Sequence, residues 1–401
     1  MYFAFIVTTL IDHGWADSAA AAAITAMSII AMLTQPVIGY ISDKYLSEKK
    51  LTITLLIFGS ICFFLLPLSL SSGNMVLIFI NMAGVTVSAA QAGGLIDAWI
   101  VGLKQEYPTV NYGLIRGTGS LAFAISAQVA GILTLSFGHD VRLWVGGGSL
   151  VLAIVVALSF RATRRAGQEN PEDAEHTENA DHTDSTEDAE HTEGTVSTEA
   201  KPIQKLTGKE AIKLVFSSKQ YNLLLAVSFF LLLSNTTMLT LNQLLVRDLG
   251  GTTAQMGTAS AVMAGSEVPI MFLMAIILKK VGFKRLLLLC GALYVIRMLL
   301  MASVGSVNTL IYVQVMNGLT YAILIPIAMS YMSQILDERV RSTAITTYAS
   351  TTVGLTGILG NSITATLLAA GFSAQSALIV FSFSALIGFS LALFGVFRKI
   401  W

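Results

Sequence analysis

Residues 39–51 read GYISDKYLSEKKL, and residues 275–287 read AIILKKVGFKRLL. In each stretch an apolar helix ends, a short basic loop follows, and a new apolar helix begins. The two stretches take the same place in the two halves of the chain, after the second helix of each half. The repetition therefore predicts two pseudo-repeats in parallel orientation, an arrangement in which the interface between repeats holds the binding site.

The composition restricts the class of protein. The chain has 401 residues, of which 54% are hydrophobic and 12% charged, and its mean hydropathy is +0.71. Soluble domains carry about 25% charged residues, so a water-soluble enzyme is excluded. Lys+Arg 24 and Asp+Glu 24 cancel, which argues against a nucleic-acid partner. The two cysteines, Cys62 and Cys290, lie in apolar runs and predict no disulfide framework.

The apolar runs predict membrane-spanning helices, each of which needs about 20 residues. Residues 1–11 are apolar but make only half a span, and we interpret them as the end of a first helix whose opening residues are missing. The predicted fold is an all-α membrane protein with two six-helix bundles around a central cavity and a first helix truncated at its N-terminal end. Complete spans are predicted at 19–41, 51–70, 75–100, 113–137, 143–160, 220–245, 253–278, 285–304, 308–335, 343–369 and 374–397.

A polar segment divides the chain. Residues 166–200 are rich in Asp and Glu, contain no Lys or Arg, and repeat AEHTE and ADHTD. Such a segment cannot bury enough apolar surface to fold and is predicted to be disordered. Its histidines could bind a metal weakly, but a solvated acidic tether is the favoured interpretation, and no metal site or cofactor is predicted. The predicted domains are an N-terminal bundle (1–160), a cytoplasmic linker (161–218) and a C-terminal bundle (219–401).

Loop charge predicts the orientation. Nearly all lysines and arginines fall in one set of alternate loops, whereas the opposite set holds only Arg142 and Arg247. Cytoplasmic loops carry the excess of positive charge. The linker and the C-terminus are therefore predicted to be cytoplasmic, in a multi-pass protein of the cell membrane.

The loop GYISDKYLSEKK resembles the loop between the second and third helices of the major facilitator superfamily. Gly39, Asp43, Lys44, Lys49 and Lys50 match the pattern, whereas Leu46 or Ser47 stands where a second glycine is frequent. Within the superfamily the chain resembles the branch of lactose-permease-like, phenylpropionate-type and nucleoside-type proton symporters. The stretches that carry this resemblance are QPVIGYISDK (35–44), GLIDAW (94–99), YGLIRGTGSLAF (112–123) and LYVIRM (293–298).

Four ionisable residues lie within or at the edge of predicted spans. Asp97 and Arg116 lie on consecutive helices of the N-terminal half, and Glu267 and Arg297 on consecutive helices of the C-terminal half. Ionisable groups in a span cost about 2.5–3.5 kcal/mol each on insertion scales and are functional candidates by default. The alternative is structural, namely two ion pairs that fix the packing of the helices.

The resemblance assigns roles to these positions. It implies that Asp97 and Arg116 bind substrate and that Phe123 stacks on it. Arg297 matches an arginine of proton coupling, whereas Asn317 and Thr320 replace the family's coupling His and Glu, so the family's relay cannot operate unchanged. Glu267 is the remaining mid-span carboxylate of the C-terminal half, and we predict that it titrates and is tuned by Arg297. The predicted substrate-binding residues are Asp97, Arg116, Phe123, Asn242, Gln243 and Asn317.

Other polar residues complete the predicted site. Gly39, Asp43 and Lys44 are predicted to form a conformational latch, with Asp43 at a helix N-terminus of the other half, near Ser342, where a carboxylate is favoured. Uncharged side chains are predicted to line the cavity, although interhelical hydrogen bonds alone would explain them. They are Asn235, Asn242, Gln243, Gln314, Asn317, Tyr321 and Asn361.

Taken with the resemblance, these residues predict a secondary active transporter. The favoured interpretation is proton-coupled symport of a small polar solute such as a sugar or oligosaccharide, by a monomer in the lipid bilayer. A nucleoside or aromatic-acid symporter, an exporter, and a non-transporting sensor or scaffold are the alternatives. No HExxH, GxSxG or P-loop pattern lies in a span, so an enzyme is not predicted.

Overall fold

The computed structural model describes residues 4–106, 112–138, 140–159 and 208–401. Within its helices some side chains lie outside the described part, namely those at 40, 43, 44, 48, 94, 97–106, 112–116, 208, 209, 211, 275, 338, 339, 341 and 342. The predicted disordered segment 166–200 also lies outside the described residues.

The described residues of the N-terminal half form six α-helices. A short helix, α1, is buried through its first five residues and packs against the second helix. The proposed truncation of the first helix stays a prediction. The helices are α1 (Ile6–Asp12), α2 (Asp17–Lys44), α3 (Glu48–Ser72), α4 (Met75–Glu106), α5 (Tyr112–Phe137) and α6 (Val141–Ser159).

The C-terminal half has more helices because several of its spans are interrupted. They are α7 (Gly208–Ser217), α8 (Lys219–Thr236), α9 (Met238–Asp248), α10 (Thr253–Gly265), α11 (Glu267–Val281), α12 (Phe283–Ala302), α13 (Val307–Val313), α14 (Met316–Ile335), α15 (Glu338–Ala349), a π-helical turn (Ser350–Leu355), α16 (Thr356–Ala369) and α17 (Ala374–Phe397). Across the described residues, 11 helical stretches are long and apolar enough to cross a membrane. This confirms the predicted set of complete spans.

Local sequence sets the ends of these helices. Ser47 accepts a hydrogen bond from the backbone N–H of Lys50 and caps α3. Thr252 and Gln255 form a reciprocal capping box at the start of α10. Gly73 ends α3 with φ +65°, a conformation that glycine adopts without steric cost. These caps fix where the helices end and the loops begin.

Four spans of the C-terminal half are interrupted near their middle. The breaks fall at Thr237, at Ser266, at Gln314–Val315 and in the π-helical turn 350–355. At the second break Pro269 falls in the first turn of α11, where its missing N–H is tolerated. Broken helices in transporters and π-helical turns are frequent at binding sites. The four breaks therefore indicate a binding site near the middle of the spans.

The helices pack as two bundles that meet along two seams. In the N-terminal bundle α3 packs against α4 and α6; in the C-terminal bundle α12 packs against α14 and α17. Between the bundles, α5 packs against α10 and α11, and α2 packs against α16. The fold is therefore the predicted all-α membrane protein with two bundles around a central cavity. We call the side at which α6 ends and α8 begins the linker side, and the opposite side the far side.

Candidate functional site

The space between the bundles contains a cavity of about 510 Å³ that includes a carboxylate. Glu267 lies in its wall beside Asn317, where α11 and α14 begin. Ser120 and Phe123 line it from the N-terminal half. We call this space the carboxylate lobe; its other polar lining residues are Asn235, Thr236, Tyr321 and Thr352.

A second space of about 500 Å³ adjoins the first. Thr236, Leu239 and Val353 line both, so the two are lobes of one central cavity. The second space, which we call the amide lobe, is lined by uncharged polar side chains from both bundles. They are Ser28, Gln35, Gln91, Thr236, Thr240, Gln243 and Asn361.

Glu267 makes hydrogen bonds to both bundles. Its Oε2 accepts from the hydroxyl of Ser120 in α5 at 2.9 Å, and its Oε1 accepts from the side-chain amide of Asn317 in α14 at 2.7 Å. Glu267 also opens α11, where the helix dipole favours negative charge. The carboxylate thus joins the two halves across the cavity, in a position where its charge is stabilised.

Arg297 is fully buried in the middle of α12. Its Nη1 donates to Asn235, Asn317 and Thr320 at 2.9, 2.8 and 3.1 Å, and its Nη2 donates to Gln314 at 3.3 Å. All four acceptors are uncharged, and three of them lie at or next to the breaks in the helices. The structure thus surrounds a buried guanidinium with oxygen atoms instead of a direct counter-ion.

The structural alternative of a direct ion pair between Glu267 and Arg297 needs a correction. No ion pair joins these two described residues; the amide of Asn317 lies between them, donating to Glu267 and accepting from Arg297. The sequence could not reveal this, because neighbouring helices do not fix which side chain reaches which. Asn317 is therefore a bridge in the charged network as well as a residue of the cavity wall.

The structure separates two residues that the sequence grouped together. Gln243 lines the amide lobe, and its Oε1 accepts from the backbone N–H groups of Val7 and Thr8 in α1 at 3.1 and 3.3 Å. Asn242 is buried behind the cavity wall, where it accepts a hydrogen bond from Gln314 at 2.8 Å. The position of Asn242 favours a part in the Arg297 network over contact with a substrate.

The remaining predicted site residues fall in three groups. Phe123 lines the carboxylate lobe, as a stacking residue would require. Asp97 and Arg116 lie in α4 and α5, but their side chains are outside the described part. In the predicted latch, Asp43 and Lys44 lie in the last turn of α2, and their side chains are also outside the described part. Gly39 has open space around its α-carbon.

On the far side the two halves are joined by an ion pair that the sequence analysis did not single out. Arg247 of α9 donates to both carboxylate oxygens of Asp17 in α2, at 2.7 and 2.6 Å. Each side chain is just over one third exposed. The sequence analysis used Arg247 only to predict the orientation, because the pairing depends on residues that are 230 positions apart.

Two glycines bring the bundles into close contact at the same end. A Cβ atom on Gly257 of α10 would lie 2.6 Å from the backbone oxygen of Ala127 in α5, and one on Gly131 would lie 2.7 Å from that of Thr253. Only glycine permits backbones to approach so closely. Together with the Asp17–Arg247 pair, these contacts join the two bundles on the far side.

Comparisons with known proteins agree with this architecture. The model of the MFS_1 like family matches residues 5–394. A maltose permease of Geobacillus stearothermophilus is 28% identical over 248 residues, which is 61% of this chain and 53% of that protein. A lactose permease of Klebsiella oxytoca is 27% identical over 138 residues, 33% of each chain. The matched region thus spans about half or less of the length of these relatives.

Solved structures share the fold. A mutant form of the nucleoside transporter NupG superposes with a TM-score of 0.75 and 15% identity, covering 100% of this chain and 96% of that one. A bacterial homologue of the human lysosomal transporter Spinster, solved inward-facing and unoccupied, superposes with a TM-score of 0.61 and 12% identity, covering 99% of this chain and 90% of that one. The family model covers nearly the whole chain, and we conclude that this protein belongs to the MFS_1-like family of multi-pass membrane transporters.

Proposed function

We propose that the protein is a secondary active transporter that couples uptake of a small polar solute, such as a sugar or oligosaccharide, to entry of protons. The observation that carries the proposal is Glu267. It is a half-buried carboxylate in the wall of the central cavity, bonded to Ser120 of one bundle and Asn317 of the other. A carboxylate within a membrane span is costly to bury, and such a residue is therefore a functional candidate by default.

The geometry suggests how protonation affects conformation. As an anion, Glu267 accepts charge-assisted hydrogen bonds from both bundles, and such bonds are about twice as strong as neutral ones. Protonation removes the charge, weakens the contact with Ser120 and so loosens the seam between α5 and α11. A group whose protonation changes an inter-bundle contact fulfils the requirement for coupling, because it binds protons differently in the two conformations.

Recognition of the solute is assigned to the cavity and the helices around it. Asp97 and Arg116 are proposed to hold the hydroxyl groups of the solute, and Phe123 to pack against its ring. Gln243 and Asn317 supply amide groups from the C-terminal half. The similarity to a maltose permease and a lactose permease supports a sugar.

A nucleoside is the second candidate. Phe123 presents an aromatic ring to the carboxylate lobe, and a flat aromatic base stacks on such a ring at least as well as a sugar does. Arg116 and Arg297 would equally suit an aromatic acid. The uncharged amide lobe, which would face hydroxyl groups, favours a sugar.

We further propose that the protein is a monomer of the cell membrane, with its linker side in the cytoplasm. The basic loops on the linker side support this orientation. With the far side closed by Asp17, Arg247, Gly131 and Gly257, the structure then corresponds to a state closed to the outside. A proton concentration that is higher outside than inside would then drive import.

The test is uptake by purified protein in liposomes with an acidic exterior. The panel should contain maltose, lactose, two nucleosides and an aromatic acid, each with and without a protonophore. We expect a sugar to accumulate only while the gradient exists. Accumulation of a nucleoside or aromatic acid alone would replace the proposed substrate. Accumulation in the opposite direction would identify an exporter, and no movement of any solute with intact folding would favour a sensor or scaffold.

A further inference from the structure

The interior of the C-terminal bundle contains a group of polar atoms that make no hydrogen bond within the described part of the protein. They are the hydroxyls of Ser228 in α8, Tyr294 in α12 and Tyr348 in α15, together with Nε of Arg297. All four residues are at most 1% exposed. We call them the hydroxyl cluster.

The members of the hydroxyl cluster are close neighbours. Tyr294 and Arg297 lie three residues apart on α12, and such residues share one face of a helix. Tyr294 also interacts electrostatically with both Arg297 and Tyr348, and the hydroxyls of Tyr348 and Ser228 lie close to each other without meeting the geometry of a hydrogen bond. The other titratable groups that act on these side chains are Cys290, Tyr321, Tyr221 and, through Arg297, Glu267.

Leaving these atoms without partners would be costly. A buried polar group without a hydrogen bond costs about 1–3 kcal/mol, and native proteins rarely tolerate it. A neighbouring tyrosine shows that this bundle can satisfy a buried hydroxyl: Tyr221, also fully buried, donates to the backbone oxygen of Ala344 at 2.9 Å. A partner that several of these neighbouring groups share would remove that cost.

We propose that the hydroxyl cluster is a binding site for ordered water, which hydrates Arg297 through its Nε. A buried water molecule needs two to four polar partners, and the hydroxyl cluster supplies three hydroxyls and one N–H. The hydroxyls both donate and accept, so they can orient the water with its oxygen towards the guanidinium. The site lies inside one bundle and adjoins the wall of the central cavity, since Arg297 donates to Asn235 and Asn317, which line the carboxylate lobe.

The bound water has a consequence for coupling, which rests on the proposed role of Glu267. When Glu267 takes up a proton, the charge that Asn317 links to Arg297 disappears, and the guanidinium is left buried without its counter-charge. An uncompensated buried charge is strongly destabilising. Water at Nε lowers that cost and so makes protonation of Glu267 easier.

The presence of water is tested by radiolytic hydroxyl labelling of the whole protein in nanodiscs, followed by mass spectrometry. Buried tyrosines react only where bound water supplies the radical. We expect Tyr294 to be labelled faster than the equally buried Tyr221, and Tyr348→Phe to reduce labelling of Tyr294 to the level of Tyr221. Labelling of Tyr294 no faster than that of Tyr221 in the unaltered protein would overturn the proposal, as would labelling that is insensitive to Tyr348→Phe.

Transport measures the consequence separately. Tyr348→Phe should move the half-maximal point of proton-driven uptake to lower pH, because more acid is then needed to protonate Glu267. Tyr221→Phe, the matched control, should leave the profile in place. Labelling as expected with no shift in Tyr348→Phe would overturn the link to Glu267. A Glu267→Gln variant that keeps full coupling would overturn the proposed function instead, whatever the labelling.

Discussion

Ser120 of α5 donates a hydrogen bond of 2.9 Å to Oε2 of Glu267 in α11, so that a carboxylate of one bundle holds a hydroxyl of the other. The contact lies in the wall of the central cavity, where a solute and a proton would both arrive. Because it crosses the seam along which the bundles would rock, its strength should differ between conformations. In the proposed mechanism it connects the charge on Glu267 to the movement of the two bundles.

Asn317→Ala should impair both stability and coupling. It removes one hydrogen bond to Glu267 and one to Arg297, and bonds to charged groups contribute about 1.5–3 kcal/mol each. We expect a lower melting temperature and a shifted pH profile of uptake. Asn361→Ala is the matched control, since its amide is equally buried and, within the described residues, bonds Thr240 and Gly357 instead of a charged group. An unchanged pH profile in Asn317→Ala would contradict the bridge.

Asp17→Asn should weaken closure on the far side. The pair with Arg247 is bidentate but partly exposed, and exposed pairs contribute about 0.2–1 kcal/mol, so the balance of conformations should shift by up to about fivefold. The shift should diminish at high salt, which screens the pair already in the unaltered protein. Pulsed electron paramagnetic resonance measures the distance between spin labels at two exposed far-side positions, Ser71→Cys in the last turn of α3 and Gly305→Cys in the loop before α13.

The charge reversal Asp17→Arg with Arg247→Asp provides the control. Each single change should lengthen the distance between the spin labels, and the double variant should restore the shorter distance. If Asp17→Asn leaves the distance distribution unaltered at low salt, the pair does not hold the far side closed.

Gly257→Val should prevent closure of the far side. A Cβ at this position would lie 2.6 Å from the backbone oxygen of Ala127, and a backbone atom cannot move aside as a side chain can. We expect the same pair of spin labels to report a longer distance, and uptake to stop. Gly148→Val, in α6 with open space around its α-carbon, is the control and should transport normally. A short distance retained in Gly257→Val would refute the close approach of α5 and α10.

The sequence was sufficient to predict the complete spans, the two bundles and the cavity, because apolar length and loop charge act locally along the chain. Glu267 was found because a carboxylate within an apolar run is conspicuous. Its partners were not: Ser120 is one of many serines in the spans, and its contact joins residues 147 positions apart. Likewise Asn242 and Gln243 are adjacent in sequence but point to different places, since successive helical residues face different directions. The helix breaks at Thr237 and Gln314 have no proline nearby, so the sequence did not predict them.

Glu267→Gln tests the central claim most directly, because glutamine keeps the shape of the side chain and one of its two acceptor oxygens and cannot take up a proton. The measurement compares two activities of the same liposomes: uptake driven by a pH gradient, and exchange of solute at equal concentration on both sides. We predict that the variant exchanges solute at a rate that no longer depends on pH and accumulates none against its gradient. Accumulation as high as in the unaltered protein, still abolished by a protonophore, would contradict the account.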